Sequence, residues 1–323
     1  MTGVGLVAGR HAAKSPATGP SIVGRPARWR KVKNGLAGAL ISGSFLLALV
    51  PLGWLLWTVL AKGLHAVTRN GWFTASQRNK TYTDPGGGAL HAIIGTAEQV
   101  GLCAAISVPI ALLVAIYLVE YGRGPLARAT TFMIDILTGI PSIVAALFVY
   151  AVFIGTLGQQ KAGWLVSFAL VLLMIPVIVR TAEEMLRLVP DELREASYAL
   201  GVPKWRTVLR VVLPTALTGI VTGVVLGIAR VAGETAPLLV LATYTPDINK
   251  DLFAGPQGTL PGFINDQTVN ASSSGTYQLG ADGRPHLVHN FAVDRLWGAA
   301  LTLIVIVMAL NLVARLIGRY QRQ

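Results

Sequence analysis

Residues 180–214 read RTAEEMLRLVPDELREASYALGVPKWRTVLRVVLP, and the spacing of charge within them constrains everything on either side. Six Lys or Arg and five Asp or Glu make the stretch too polar to lie in lipid, yet its apolar residues recur too regularly for an idle loop. Asp191 and Glu192 follow Pro190, where the positive end of a helix dipole favours acids, and Leu193, Ala196, Ala199 and Leu200 continue at helical spacing. Gly201 stops that helix and Pro203 stands near the next start, the usual placing of glycine past a helix end and proline at a beginning. The stretch is predicted to be a helix, a turn and a second helix lying along a membrane face.

The flanking sequence supplies the membrane. Of 323 residues, 53% are hydrophobic and 13% charged, with a mean hydropathy of +0.59, against about 25% charged in an ordinary soluble domain. Apolar runs of a length to cross a bilayer, which takes about 20 residues, are predicted at 34–61, 93–119, 132–153, 164–179, 217–241 and 296–316, the first of them without a charge. Trp164 and Trp297 mark two of their ends, where aromatic rings favour the interface. The expected organisation is all-α: a polar tail over 1–33, a first span over 34–61, a segment over 62–91, a core over 92–316 and a short tail over 317–323. Within the core, 180–214 forms one polar loop and 242–295 another, with a flexible tip expected at Asn270–Gly275. In 62–91, Pro85 and the three glycines after it are expected to hinge into the second span.

Charge orients the chain. Six spans put both termini on one side, and 18 of the 27 Lys and Arg then fall in the tail, in 120–131, in 180–214 and after 314. Eight lie on the opposite side and Arg230 is left in the membrane. Positive residues favour the cytoplasm, so both termini are expected there, and the net charge of +12 needs no nucleic acid to explain it. One cysteine, Cys103, excludes a disulfide framework and is expected in core packing, and five scattered histidines offer no metal site. No P-loop, GxSxG or HExxH motif occurs, so the chain itself is expected to carry no cofactor, and any ATP and Mg belong to a partner.

Glu195-Ala196-Ser197, then Gly201, then Val211-x-Leu213-Pro214 closely resemble the EAA loop of ABC importer permeases, whose consensus is EAA-x3-G-x9-I-x-LP. The resemblance implies the type I importer permease (MetI-like) fold and a docking role for Glu195, Ala196, Ser197, Gly201, Pro203, Leu213 and Pro214 against a cytoplasmic ATPase. Small Ala196 and Ser197 suit close approach. Two further blocks, LTGIPSIV over 137–144 and ARVAGETAPLL over 229–239, narrow the likeness to the PstA-type permeases of phosphate importers, from about residue 93 to 316. That subfamily implies a multi-pass protein of the bacterial plasma membrane without an ATPase site of its own. Its partners would be a second, PstC-like permease, two ATPase subunits, an external phosphate-binding protein and inorganic phosphate. The long polar tail and an apparent insertion over 270–287 depart from the pattern. A molybdate or sulfate importer permease, or a secondary transporter, stays open as an alternative.

The charges within the spans are the candidate path. At about 100° per residue, Gly219, Gly223, Gly227, Arg230 and Glu234 share one stripe of a continuous helix. Glycines at every fourth position allow another helix to approach, so the stripe is expected to face the protein interior. Arg230 there would lower the barrier for an anion, with Glu234 holding the guanidinium when the path is empty; the alternative is that the two neutralise one another in a packed core. Pro237 would loosen the helix beside them. Arg180, within the PstA-like block, fits either a phosphate exit or a positive anchor at the membrane face. Glu98 and Asp135 are expected to be structural, and Pro109, Pro141 and Pro176 to mark kinks.

Overall fold

A computed structural model describes residues 28–272, 277–279, 285–287 and 289–320 of the chain, which divides into two units, one ending at Leu55 and one starting at Leu56. The described part of the first unit is the leading stretch of helix α1 (Arg28–Val67). The expected first span therefore begins earlier and ends later than 34–61, because Arg28 to Lys33 continue the helix rather than the tail. Residues 1–27 and 321–323 lie outside the described residues.

The second unit is built on α2 (Leu90–Ile116) and α5 (Gly163–Arg187). α5 is the most enclosed helix: Leu165, Val166, Ala169, Met174, Ile178, Val179, Ala182 and Leu186 are all buried. α2 packs along its length through small residues, Cys103, Ser107, Ala111 and Ala115, with Cys103 Sγ 3.5 Å from Met174 Sδ. In lipid, close backbone approach replaces the hydrophobic effect as the source of helix association, which is why small side chains dominate this seam.

The third expected span, 132–153, is not one straight helix. α3 (Gly124–Gly139) and α4 (Ser142–Val149, continued as a π-helical turn over Tyr150–Thr156) meet at an angle of 107° across Ile140-Pro141. Pro141 has no N–H to offer the preceding turn and bars the helical conformation at Ile140, whose φ and ψ are −73° and 124°. Pro109 and Pro176, by contrast, lie inside unbroken helices. Among the described residues there are thus five helices long and apolar enough to cross a membrane, or six with this bent pair counted as one span.

The predicted polar stretch is divided differently from expectation. α5 runs on through Arg187, so the fourth span extends past Val179. α6 (Asp191–Ala199) follows, and after the turn at Gly201 a single helical run covers Lys204–Val231: α7 (Lys204–Thr207), a π-helical turn (Val208–Val212) and α8 (Leu213–Val231). The fifth span therefore starts well before Leu217 and stops at Val231 instead of Leu241. α9 (Ala236–Leu241) is a separate short helix with Pro237 in its first turn.

Nor is 242–295 a plain loop. It holds α10 (Leu260–Ala271), capped by the Thr259 hydroxyl accepting from the N–H of Gly262 at 3.3 Å, and an antiparallel pair, β1 (Tyr277–Leu279) with β2 (Pro285–Leu287). The expected tip at 270–275 begins in α10, and 273–276 lie outside the described residues. α11 (Phe291–Tyr320) is the last described helix and takes in part of the expected terminal tail.

The connecting segments gather at two ends. At one, which we call the loop end, Phe291 N–H donates to Tyr82 O at 2.8 Å and Gln77 N–H to Pro246 O at 3.2 Å. The buried Arg295 donates to the carbonyls of Thr81 (2.9 Å), Gly86 (3.1 Å) and Asp84. The glycines after Pro85 are therefore a stapled turn rather than a hinge, with Gly86 and Gly87 at φ of 86° and 82°. At the other end, Glu120 and Tyr121 meet Arg194 and Lys204. Segments 62–91 and 242–295 thus meet at one end, and 120–131 and 180–214 at the other.

A Cβ on Gly95 of α2 would stand 2.0 Å from the carbonyl oxygen of Gly258. Backbone cannot yield as a side chain does, so Gly95→Ala is expected to lower the melting temperature in detergent by several degrees, the shift that about 1–3 kcal/mol of overpacking produces. Gly101→Ala, whose new methyl meets nothing within 4 Å, should not lower it, since alanine favours the helix over glycine.

Candidate functional site

The helix-turn-helix stands at the end opposite the loop end. Gly201 adopts φ of +77°, the left-handed region that glycine enters without steric cost, and its N–H closes the turn on Tyr198 O at 2.9 Å. Below the turn, Ser197 Oγ and Thr207 Oγ1 share a buried hydrogen bond of 2.8 Å that ties α6 to α7. Glu195, Ala196, Tyr198, Leu200, Pro203 and Trp205 remain exposed around it. The result is a rigid, apolar-tipped knuckle, with Leu200 84% and Trp205 55% exposed. Of the residues expected to dock, Ser197 faces inward as the turn's internal tie. Leu213 and Pro214 sit a turn or more along the second helix, at the start of α8. Ser197→Ala leaves the Thr207 hydroxyl without that partner and is expected to cost about 1–2 kcal/mol of local stability, read as faster amide exchange over 197–207.

The knuckle is clasped by residues that sequence reasoning missed. Arg194 Nη2 lies 3.0 Å from Glu120 Oε1, with the two side chains 12% and 4% exposed. Lys204 Nζ donates to the Glu120 carbonyl and stands 4.9 Å over the Tyr121 ring. The signal available was a lone acid closing the apolar run of α2; its partners lie 74 and 84 residues away and carry no spacing that announces them.

The glycine stripe of α8 is an internal seam. A Cβ on Gly219 would fall 2.1 Å from Met185 Sδ, and one on Gly223 2.3 Å from Thr181 Cγ2, while one on Gly227 would sit in ordinary contact with Ile178 and Met174. All of these partners belong to α5. Arg230 and Glu234, however, do not extend the stripe inward. Arg230 is exposed, on the open side of α8 with Thr215, Thr222 and Leu226. Glu234 follows the helix end at Val231, so the angular projection no longer applies to it. It lines a small recess with Thr96, Gln99, Val231 and Thr259. No ion pair joins Arg230 to Glu234 among the described residues, so mutual neutralisation in a dry core does not describe them.

Below Arg230, the open face of α8 continues into a groove of about 900 Å³ between α5, α8 and α11, lined by Thr181, Thr215, Thr218, Thr222 and Arg315 among apolar residues. The hydroxyls of Thr181, Thr215 and Thr222 donate to the carbonyls of Val177, Val211 and Thr218 one turn back on their own helices, so the charged group that this lining offers is Arg315. Arg180 is engaged otherwise: its guanidinium donates to Asp135 of α3 and, at 2.9 Å, to Glu183, which also accepts from Arg187 at 2.7 Å. That network joins α3 to α5 and gives Arg180 structural partners on both helices. Glu98 and Asp135 both have structural partners, Glu98 accepting from Gln257 at 2.5 Å.

At the loop end, a hollow of about 370 Å³ is bordered by Lys161, Tyr244, Gln257, Asn265 and Asp266. Burial pushes the Tyr244 phenol and the Asp266 carboxyl above their ordinary ranges, the latter against the opposing hydrogen bonds from Gln267 and Asn270.

Residues 107–323 match the model of a family described as the binding-protein-dependent transport system inner membrane component. The chain is 51% identical to the phosphate transport system permease protein PstA 1 of Mycobacterium tuberculosis, over 89% of each chain. It is 50% identical to PstA of Mycobacterium leprae, over 88% of each, and 37% identical to PstA of Pasteurella multocida, over 89% of this chain and 95% of that one. The chain belongs to the binding-protein-dependent transport permeases. The likeness read from the three sequence blocks, to the PstA-type members, holds over most of this permease. Its fold is also that of two solved transporters. One is the MetNI methionine ABC transporter in an inward-facing form, with a TM-score of 0.55 and 20% identity over 72% of the permease and 95% of the solved chain. The other is a bacterial alginate ABC transporter, with a TM-score of 0.61 and 13% identity over 91% and 97%. At those identities they support the permease fold and nothing about cargo.

Proposed function

We propose that this permease is one of two membrane subunits that pass inorganic phosphate through the bacterial plasma membrane, with both termini in the cytoplasm. The observation that carries the cargo is the identity of about one half, over nine tenths of the chain, to proteins named for phosphate transport. The second membrane subunit is a different, PstC-like permease, two cytoplasmic ATPase subunits bind the ATP and Mg, and an external phosphate-binding protein delivers the ligand. The chain itself performs no hydrolysis and holds no cofactor.

In this reading the knuckle at 191–207 docks on the ATPase, supported by its exposed Leu200 and Trp205 and its fixed turn. Closure of the ATPase pair pushes the knuckle, and the two permeases exchange an inward-open for an outward-open arrangement. Arg230 lies on the open flank of α8, where a second permease would meet it across the path. An arginine placed there lowers the electrostatic barrier for an anion crossing a low-dielectric region. The hydroxyl-lined groove beneath it continues toward the knuckle end.

The test is uptake of labelled phosphate into vesicles holding the complete complex, with this chain present or deleted. Uptake that depends on the chain and is competed by excess phosphate supports the reading. Competition by sulfate or molybdate, but not by phosphate, would move the cargo to another oxyanion. Uptake independent of the ATPase subunits would replace the ABC mechanism by a secondary transporter.

A further inference from the structure

The clasp on Glu120 and the packing around the far end of the same helix raise a question of transmission. α2 and the π-helical turn that continues it (Tyr117–Tyr121) form one span of 32 residues, Leu90–Tyr121. That is about 48 Å at 1.5 Å per residue. Its two ends hold different parts of the molecule.

At the knuckle end, residue 120 is gripped from both sides of the Gly201 turn. All five N–H donors of Arg194, on α6, are committed: Nε (3.1 Å) and Nη2 (3.0 Å) to Glu120 Oε1, Nη2 to Leu186 O (3.0 Å), and Nη1 to Val189 O (2.7 Å) and Asp191 Oδ1 (3.0 Å). Lys204, on α7, holds the carbonyl of the same glutamate. A buried ion pair is weak evidence of stability and is best attested as a device that fixes register. The π-helical turn that presents Glu120 adds to this, since such turns are frequent at functional sites.

At the loop end, α2 holds the segment leading into α10. Thr96 Oγ1 accepts from the N–H of Leu260 at 2.9 Å, Gln99 Nε2 donates to Gln257 Oε1 at 2.8 Å, and His91 Nε2 lies 3.0 Å from Tyr244 Oη. Gln99, Gln257, His91 and Thr96 are all buried. Gly95 lets the backbone of Gly258 approach so closely that no side chain fits between them. Two polar attachments, one at each end of a single helix, leave little freedom for one to shift without the other.

We propose that α2 is the element that carries displacement of the knuckle to the 257–260 segment at the loop end, with Arg194 and Glu120 as its positioning pair. The inference rests on the docking role given to 191–207 and adds the route by which that motion leaves the docking surface. It differs from transmission through α5 and α8, the helices covalently joined to the knuckle.

The experiment uses the complete complex in proteoliposomes, reading both ATP hydrolysed and phosphate transported. Glu120→Gln and Arg194→Gln are each expected to retain the ATPase subunits and their hydrolysis within twofold, while phosphate moved per ATP falls at least fivefold. The double variant should be no worse than either single, because both changes break one contact. Arg194→Lys should recover part of the ratio, and Gln257→Ala, at the other end of α2, should lower it as well. An unchanged ratio in Glu120→Gln overturns the proposal, as does full additivity of the two single changes. Should the Gln variants fail to assemble, Glu120→Cys with Arg194→Cys in a Cys103→Ser background, bridged by a short bifunctional thiol reagent, supplies the second measurement. Phosphate moved per ATP that is low before bridging and recovers on bridging supports movement as a unit; a ratio that is normal without the bridge, or that the bridge does not raise, overturns it. Failure of the docking reading is separate, because it would appear as ATPase retention unaffected by changes at Gly201 and Ala196.

Discussion

Arg230→Ala is expected to reduce phosphate uptake at least tenfold in a complex that still contains its ATPase subunits. The residue is exposed on the open flank of α8 and has no ion pair among the described residues, so removing it leaves no buried acid stranded and the fold should survive. What disappears is a cation beside the proposed path. A unit-charge contact near 4 Å at an effective dielectric of 20 is worth about 4 kcal/mol, and about 1.4 kcal/mol is a factor of ten. Arg230→Lys, which keeps the charge, should retain more uptake than alanine. Wild-type rates in Arg230→Ala, with assembly verified, would remove this residue from the path.

Gly201→Val is expected to release the ATPase subunits, seen as at least a tenfold loss of co-purification with the permease and a matching loss of uptake. The turn holds residue 201 at φ of +77°, where a β-branched side chain meets the following carbonyl and costs about 1–2 kcal/mol or more. The least costly relief is to unwind the turn, which moves Leu200 and Trp205 relative to one another and breaks the Ser197–Thr207 tie. A bulky replacement of the exposed Ala196 should weaken docking without disturbing the turn. ATPase retention and transport unchanged in both variants would count against the docking role of this segment.

The helical frame was legible because lipid imposes a simple rule: apolar runs of sufficient length must be helices. The helix-turn-helix was legible for a local reason, since the acids at 191 and 192, Gly201 and Pro203 each act within one turn of the chain. Span ends were harder to read. α5 continues through Arg187 because Arg180, Glu183 and Arg187 satisfy one another along one face, and a polar stretch that pairs internally need not leave its helix. The course of Arg230 was lost through an angle. By helical projection it stands only about 20° from Gly223, and the edge between the packed and open sides of α8 runs between them. The partner α5 sets that edge, and periodicity within α8 holds no record of it. Glu120 escaped notice because its partners Arg194 and Lys204 are adjacent only after α2 and the knuckle have packed.

The corner between α3 and α4 bears on how the permease can sit among its neighbours. A turn of 107° at Ile140-Pro141 ends one hydrogen-bonding ladder before the next begins, leaving carbonyl groups near Thr138 and Gly139 without helical partners, and both residues are exposed on this chain. Bare peptide oxygens in hydrocarbon cost several kcal/mol each. That side of the permease is therefore barred from the lipid annulus: hydration or a neighbouring subunit must meet it, so the bend limits how far the protein can rotate about the bilayer normal.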